Sequence, residues 1–72
     1  MQRSPVASSN VRSVGYDEDS QTLEVEFHGG SVYQYLGVTP SEYSALMQAA
    51  SVGSYLHAHI KNKYPTEKIT SS

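Results

Sequence analysis

Residues 23–36 read LEVEFHGGSVYQYL, and the parity of side chains along this stretch decides the fold. In Leu23-Glu24-Val25-Glu26-Phe27 apolar and acidic residues alternate without a break. Successive strand side chains point to opposite faces, so Leu23, Val25 and Phe27 share a core face and both glutamates face water. Gly29-Gly30 supplies the positive φ angles of a tight hairpin, and the chain returns as Val32-Tyr33-Gln34-Tyr35-Leu36. Two registers fit. A two-residue Gly29-Gly30 turn sets Phe27 opposite Val32 and puts Tyr33 and Tyr35 on the glutamate face. A three-residue turn, His28-Gly29-Gly30, sets Tyr33 opposite Val25 and Tyr35 opposite Leu23. The second is favoured, because so small a domain needs the ~150–250 Å² that each aromatic buries. It also turns Val32 and Leu36 outward, as an apolar strip on the open face.

Upstream, Val11 to Tyr16 reads as a first strand with Val14 and Tyr16 on one face, and Asp17-Glu18-Asp19-Ser20-Gln21 as a turn. Downstream, Thr39-Pro40-Ser41-Glu42 is a helix start: Thr39 caps, Pro40 takes the first position and Glu42 completes a capping box. Tyr43, Leu46, Met47 and Ala50 then form one apolar stripe. Ser51 caps a second helix with the stripe Val52, Tyr55, Leu56 and Ile60, which Pro65 stops just after Tyr64. Gly53 costs that helix ~1 kcal/mol of propensity, and close approach of a neighbouring element is the reading given to it. Strands followed by helices predict an α+β fold, a three-stranded antiparallel meander of order 1-2-3 with two helices packed on one face. Residues 1–9 read as a flexible N-terminus, 10–64 as a single domain and 65–72 as a flexible tail.

Seventy-two residues make one domain at most, and a chain of this size buries only ~60% of its unfolded surface. With no cysteine there is no disulfide framework and no thiolate. That predicts a reducing, cytoplasmic location. The first residues lack the apolar run of a signal peptide, and no stretch approaches the ~20 apolar residues of a membrane span. Charge is unevenly spread. Residues 1–51 hold two cations against six carboxylates, net −4, and residues 52–72 hold three against one, net +2.

The Tyr33-Gln34-Tyr35 core, the preceding Leu23-x-Val25-x-Phe27, Val38 leading into a helix, and Ser51-x-Gly53 through Ile60 together resemble the KTSC domain family. The resemblance covers roughly residues 10–64 and marks Tyr33, Tyr35, Ser51 and Gly53 as motif positions, in packing or in binding. Where the family tends to read Phe-Asn, this chain has Leu56-His57. The leucine is a packing change; the histidine weakens any role resting on the amide. KTSC domains stand alone in bacteria or close some lysyl-tRNA synthetases, so the resemblance implies RNA binding, by association with that context.

The residues themselves give little chemistry. His57 and His59 are two apart on a helix, about 200° around it, and cannot share an ion, so no metal is expected. Asp17-x-Asp19 lacks the glycine and glutamate that a calcium loop places further on. No Gly-x-Ser-x-Gly elbow exists and the three histidines have no obvious carboxylate partner, so neither catalysis nor a cofactor is expected. For RNA, the sheet is a poor platform in either register: exposed tyrosines would sit among glutamates, and buried ones could not stack. What remains is the end of the second helix, with Lys61, Lys63, Tyr64 and His57 as a weak contact for RNA such as tRNA. The same cations also complement a helix C-terminal dipole. The alternative is protein interaction or homodimerisation through the open sheet face or an edge strand.

Overall fold

In a computed structural model of the chain, which describes residues 3–6 and 10–70, the hairpin loop has three residues. The Phe27 N–H donates to the Ser31 carbonyl at 2.8 Å, and the Gly30 N–H to the Phe27 carbonyl at 3.1 Å. Gly29 and Gly30 hold φ of 104° and 96°, a region that side-chain-bearing residues rarely enter. Tyr33 therefore opposes Val25 and Tyr35 opposes Leu23, as the favoured register requires. Tyr35 is buried in the core beside Leu23 and Val25, while Phe27 and Tyr33 are half-buried at its margin.

Among the described residues the sheet has five strands rather than three. They are β1 (Arg3–Pro5), β2 (Val11–Asp17), β3 (Thr22–Phe27), β4 (Val32–Leu36) and β5 (Thr66–Thr70), antiparallel and in the order β1-β2-β3-β4-β5. The two helical segments lie between β4 and β5 in the chain, so the α+β class stands. Both stretches expected to be loose thus contribute a strand to the sheet. Neither announces itself in sequence: β1 is three residues ending in proline, and β5 reads Thr-Glu-Lys-Ile-Thr with one hydrophobe. Residues 1, 2, 7–9, 71 and 72 of those stretches lie outside the described residues.

The added strands change the face away from the helices. Arg3 reaches across β2 to Glu24 at 2.5 Å and stands 3.8 Å from Glu26. The Ser13 hydroxyl donates to Glu26 at 2.9 Å and the Gln34 amide to Glu24 at 3.0 Å. Glu24 is consequently only 9% exposed, not solvated as the alternation predicts. A carboxylate so placed is tolerable because it is paired and hydrogen-bonded. Val32 is buried and Leu36 half-buried, so the expected apolar strip on this face is not exposed.

Thr39 caps helix α1 (Pro40–Gln48) as predicted, its hydroxyl accepting from the Glu42 N–H at 3.2 Å, whereas the Glu42 carboxylate expected to complete a capping box is taken by the Tyr55 hydroxyl and Lys63. The helix ends two residues before Ala50, which is exposed. Leu46 is fully buried, and Tyr43 stacks on Tyr16 with centroids 4.6 Å apart. Ser51 caps α2 (Val52–Tyr55), accepting from the Ser54 N–H at 3.2 Å. The chain then widens into a π-helical turn over Leu56–Ile60, closed by the Lys61 N–H on the Leu56 carbonyl at 2.8 Å. The second helix is thus shorter than predicted, and Lys61 to Tyr64 form a turn leading into Pro65. Val52, Leu56 and Ile60 keep their place on the core face. Among the described residues no helix is long and apolar enough to cross a membrane.

Two substitutions test this packing in urea denaturation. Ile60→Ala removes a fully buried side chain and is expected to cost about 2–5 kcal/mol. Arg3→Ala leaves Glu24 buried without its cation and is expected to cost about 1–3 kcal/mol. A neutral Arg3→Ala would contradict the pairing of β1.

Candidate binding groove

The core face of the sheet is longer than the helices that cover it. Val11, Val14, Leu23, Val25 and Tyr35 lie within the core cluster, but the hairpin end, with Phe27 and Tyr33, is left partly open. There the π-helical turn, the turn after it and the hairpin enclose two adjoining clefts. One, of about 530 Å³, is lined by Phe27, Ser31, Tyr33, Tyr35, Lys61, Asn62 and Thr66. The other, of about 310 Å³, is lined by Asn10, Phe27, His28, Gly53, Leu56, His57 and Lys61. Phe27 and Lys61 belong to both, and among the described residues no carboxylate lines either.

The aromatic wall is ordered by its own contacts. Phe27 and Tyr33 meet edge to face, centroids 5.6 Å apart at 75°, the geometry that ring quadrupoles favour. Lys68 reaches back from β5 to place Nζ 6.0 Å from the Tyr33 centroid. At the other side of the turn, Lys63 lies 3.7 Å from Glu42 and 5.7 Å from the Tyr64 ring. The Tyr55 hydroxyl donates to the same Glu42 carboxylate at 2.8 Å, and His59 packs on the Tyr55 ring at 4.5 Å.

The residues singled out in sequence therefore divide. Lys61 lines both clefts, Tyr33 forms a wall of the larger one, and His57 and Gly53 line the smaller one. Tyr35 gives the larger cleft an edge but is otherwise core, and Ser51 is a helix cap. Lys63 and Tyr64 belong to a separate cluster around Glu42. His57 and His59 serve different surroundings, and no cluster of three potential metal ligands occurs among the described residues. Sequence reasoning missed Phe27, which it placed wholly in the core, and Thr66 and Lys68, whose strand it did not see. It also missed Asn10, His28, Ser31 and Asn62. The hairpin glycines could have pointed to their neighbours, since they fix which loop residues meet the end of the second helix.

Three phenols have acidities altered by these surroundings. Burial raises the pKa of Tyr35, with Tyr33 adding to it. Burial raises that of Tyr16, reinforced by Glu18 and Asp17. Tyr55 is raised chiefly by its hydrogen bond to Glu42.

A model of the KTSC domain matches residues 7–64. The chain belongs to the KTSC domain family. An uncharacterised protein of Stutzerimonas stutzeri is 41% identical over 64 residues, covering 89% of this chain and 90% of its own length. A lysine–tRNA ligase of Nostoc punctiforme is 37% identical over 62 residues, which are 86% of this KTSC chain but 11% of the ligase. The crystal structure of a KTSC domain protein from Yersinia pestis superposes with a TM-score of 0.90 at 43% identity, over 96% of this chain and 97% of that one. The two tyrosines of Tyr33-Gln34-Tyr35 thus play two parts in this KTSC chain, Tyr35 in the core and Tyr33 at the groove.

A spectrophotometric pH titration checks the phenols. The folded state holds the protons of Tyr16, Tyr35 and Tyr55 more tightly than the unfolded chain does. Their contribution to stability is therefore complete below about pH 10 and is lost as pH rises through the raised values. Tyr55→Phe is expected to remove one late-titrating phenol; an unchanged late phase would contradict its bond to Glu42.

Proposed function

We propose that this KTSC domain is a non-catalytic module that contacts RNA through the basic end of its second helix, with Lys61 and His57 at the contact. One observation carries the reading: the separation of charge across the sheet. Glu24 and Glu26 are held on the far face by Arg3, and Glu67 opposes Gln34 on that same face. The clefts at the hairpin end are lined by lysine, histidine, amide and aromatic side chains, with no carboxylate among the described residues there. A phosphate backbone approaching there meets cations, not carboxylates.

Lys63 and Tyr64 take a lesser part, because Glu42 partly neutralises Lys63. Few cations face the ligand, so binding is weak, about 10⁻⁴ M at physiological salt. An accessory role within a larger RNA-binding assembly accords with that affinity, and the Nostoc ligase, which carries such a domain as 11% of its length, supports it by analogy. Such work belongs in the cytoplasm.

Titration of the labelled chain with tRNA at low salt is the test. Amide shifts are expected at residues 57–63 and the hairpin, leaving Glu24 and Arg3 unmoved, and fading steeply as salt rises. No shifts at low salt would overturn the proposal.

A further inference from the structure

We infer that the larger cleft is a stacking site for an unpaired nucleobase, held against Phe27 and Tyr33 with the flanking phosphates on Lys61 and Lys68. This rests on the proposed RNA contact and gives it a ligand: single-stranded rather than duplex nucleic acid, bound without regard to sequence.

The geometry supplies both halves of such a site. Phe27 and Tyr33 are half-buried, so each ring is fixed from beneath by the core and still borders the cleft. Rings fixed in this way lose little freedom when a base stacks on them, and any base offers a π-face. The cleft volume of about 530 Å³ falls within the ~300–1,000 Å³ usual for small-ligand sites. Lys61 and Lys68 approach the wall from different elements, one following the π-helical turn and the other on β5. Lys68 stands 6.0 Å from the Tyr33 centroid, the outer limit of a cation–π contact. A base can therefore displace it from the ring and leave its ammonium for a neighbouring phosphate. Asn62 and Thr66 border the same cleft and add hydrogen-bonding groups at its rim. A paired base cannot enter, because its faces are already stacked in the duplex.

The test compares three probes on the full chain: a single-stranded RNA octamer, an RNA duplex of the same length and inorganic polyphosphate. NMR titration at low salt follows the ring protons of Phe27 and Tyr33. The octamer is expected to bind most tightly and to shift those protons upfield by its ring current; polyphosphate leaves them in place. Tyr33→Leu is expected to weaken the octamer about fivefold or more and leave polyphosphate unchanged, while Tyr33→Phe retains octamer binding. Lys61→Gln weakens all three. If Tyr33→Leu disturbs the fold, the ring shifts of the unaltered chain decide the matter alone. Octamer binding that fails with Lys61→Gln but moves no ring proton overturns the stacking site and leaves the RNA contact standing. Tighter binding of the duplex also overturns it. No binding of any probe, as for a groove that takes a protein segment instead, overturns both.

Discussion

The three-residue loop His28-Gly29-Gly30 sets the parity of β4 against β3, and the surfaces of the molecule follow from that parity. A slip of one residue would exchange every side chain of β4 between the two faces. Tyr33 and Tyr35 would then leave the helices for the glutamates, and Val32 would come under the helices. Gly29 and Gly30, both at positive φ, make the three-residue loop affordable. With the register fixed, apolar and aromatic side chains collect beneath the helices, and the carboxylates of β3 gather on the other face.

Those carboxylates then need a cation, and the chain supplies one from its own beginning. Arg3 lies on an edge strand of three residues, yet it contacts both glutamates of β3 and so ties β1 down across β2. The same arrangement shapes the opposite face. Because acidic side chains are held away from the hairpin clefts, Lys61 and His57 line them with no carboxylate among the described lining residues, and Lys68 stands over the Tyr33 ring of the larger cleft. Lys63 makes the contrast, standing close enough to Glu42 to share its charge. Charge separation on this small domain is thus a consequence of strand parity, and the functional reading rests on it.

Much of this was legible in sequence. The alternation through Leu23, Val25 and Phe27, the Thr39 and Ser51 caps, and the burial of Leu46, Leu56 and Ile60 all follow from period and spacing. β1 and β5 were not legible, since three residues with a proline, or five with one hydrophobe, carry no period. The burial of Glu24 was hidden for a related reason: its partner lies 21 residues away on a strand that could not be seen. At the groove, Lys61 and His57 stood out as cations near a helix end. The aromatic wall did not, because alternation says which face Phe27 occupies and not whether the helices extend over it. The objection that buried tyrosines cannot stack fails for Tyr33 on that ground. It shares a face with Tyr35 yet stands where that face runs out from under the helices.

The parity of the hairpin can be measured directly from side-chain nuclear Overhauser effects of the free protein. The account predicts contacts from the Tyr33 ring to Phe27 and to the Lys68 side chain, with none to Glu24 or Glu26. Contacts from the Tyr33 ring to either glutamate would put the tyrosines on the acidic face and remove the groove.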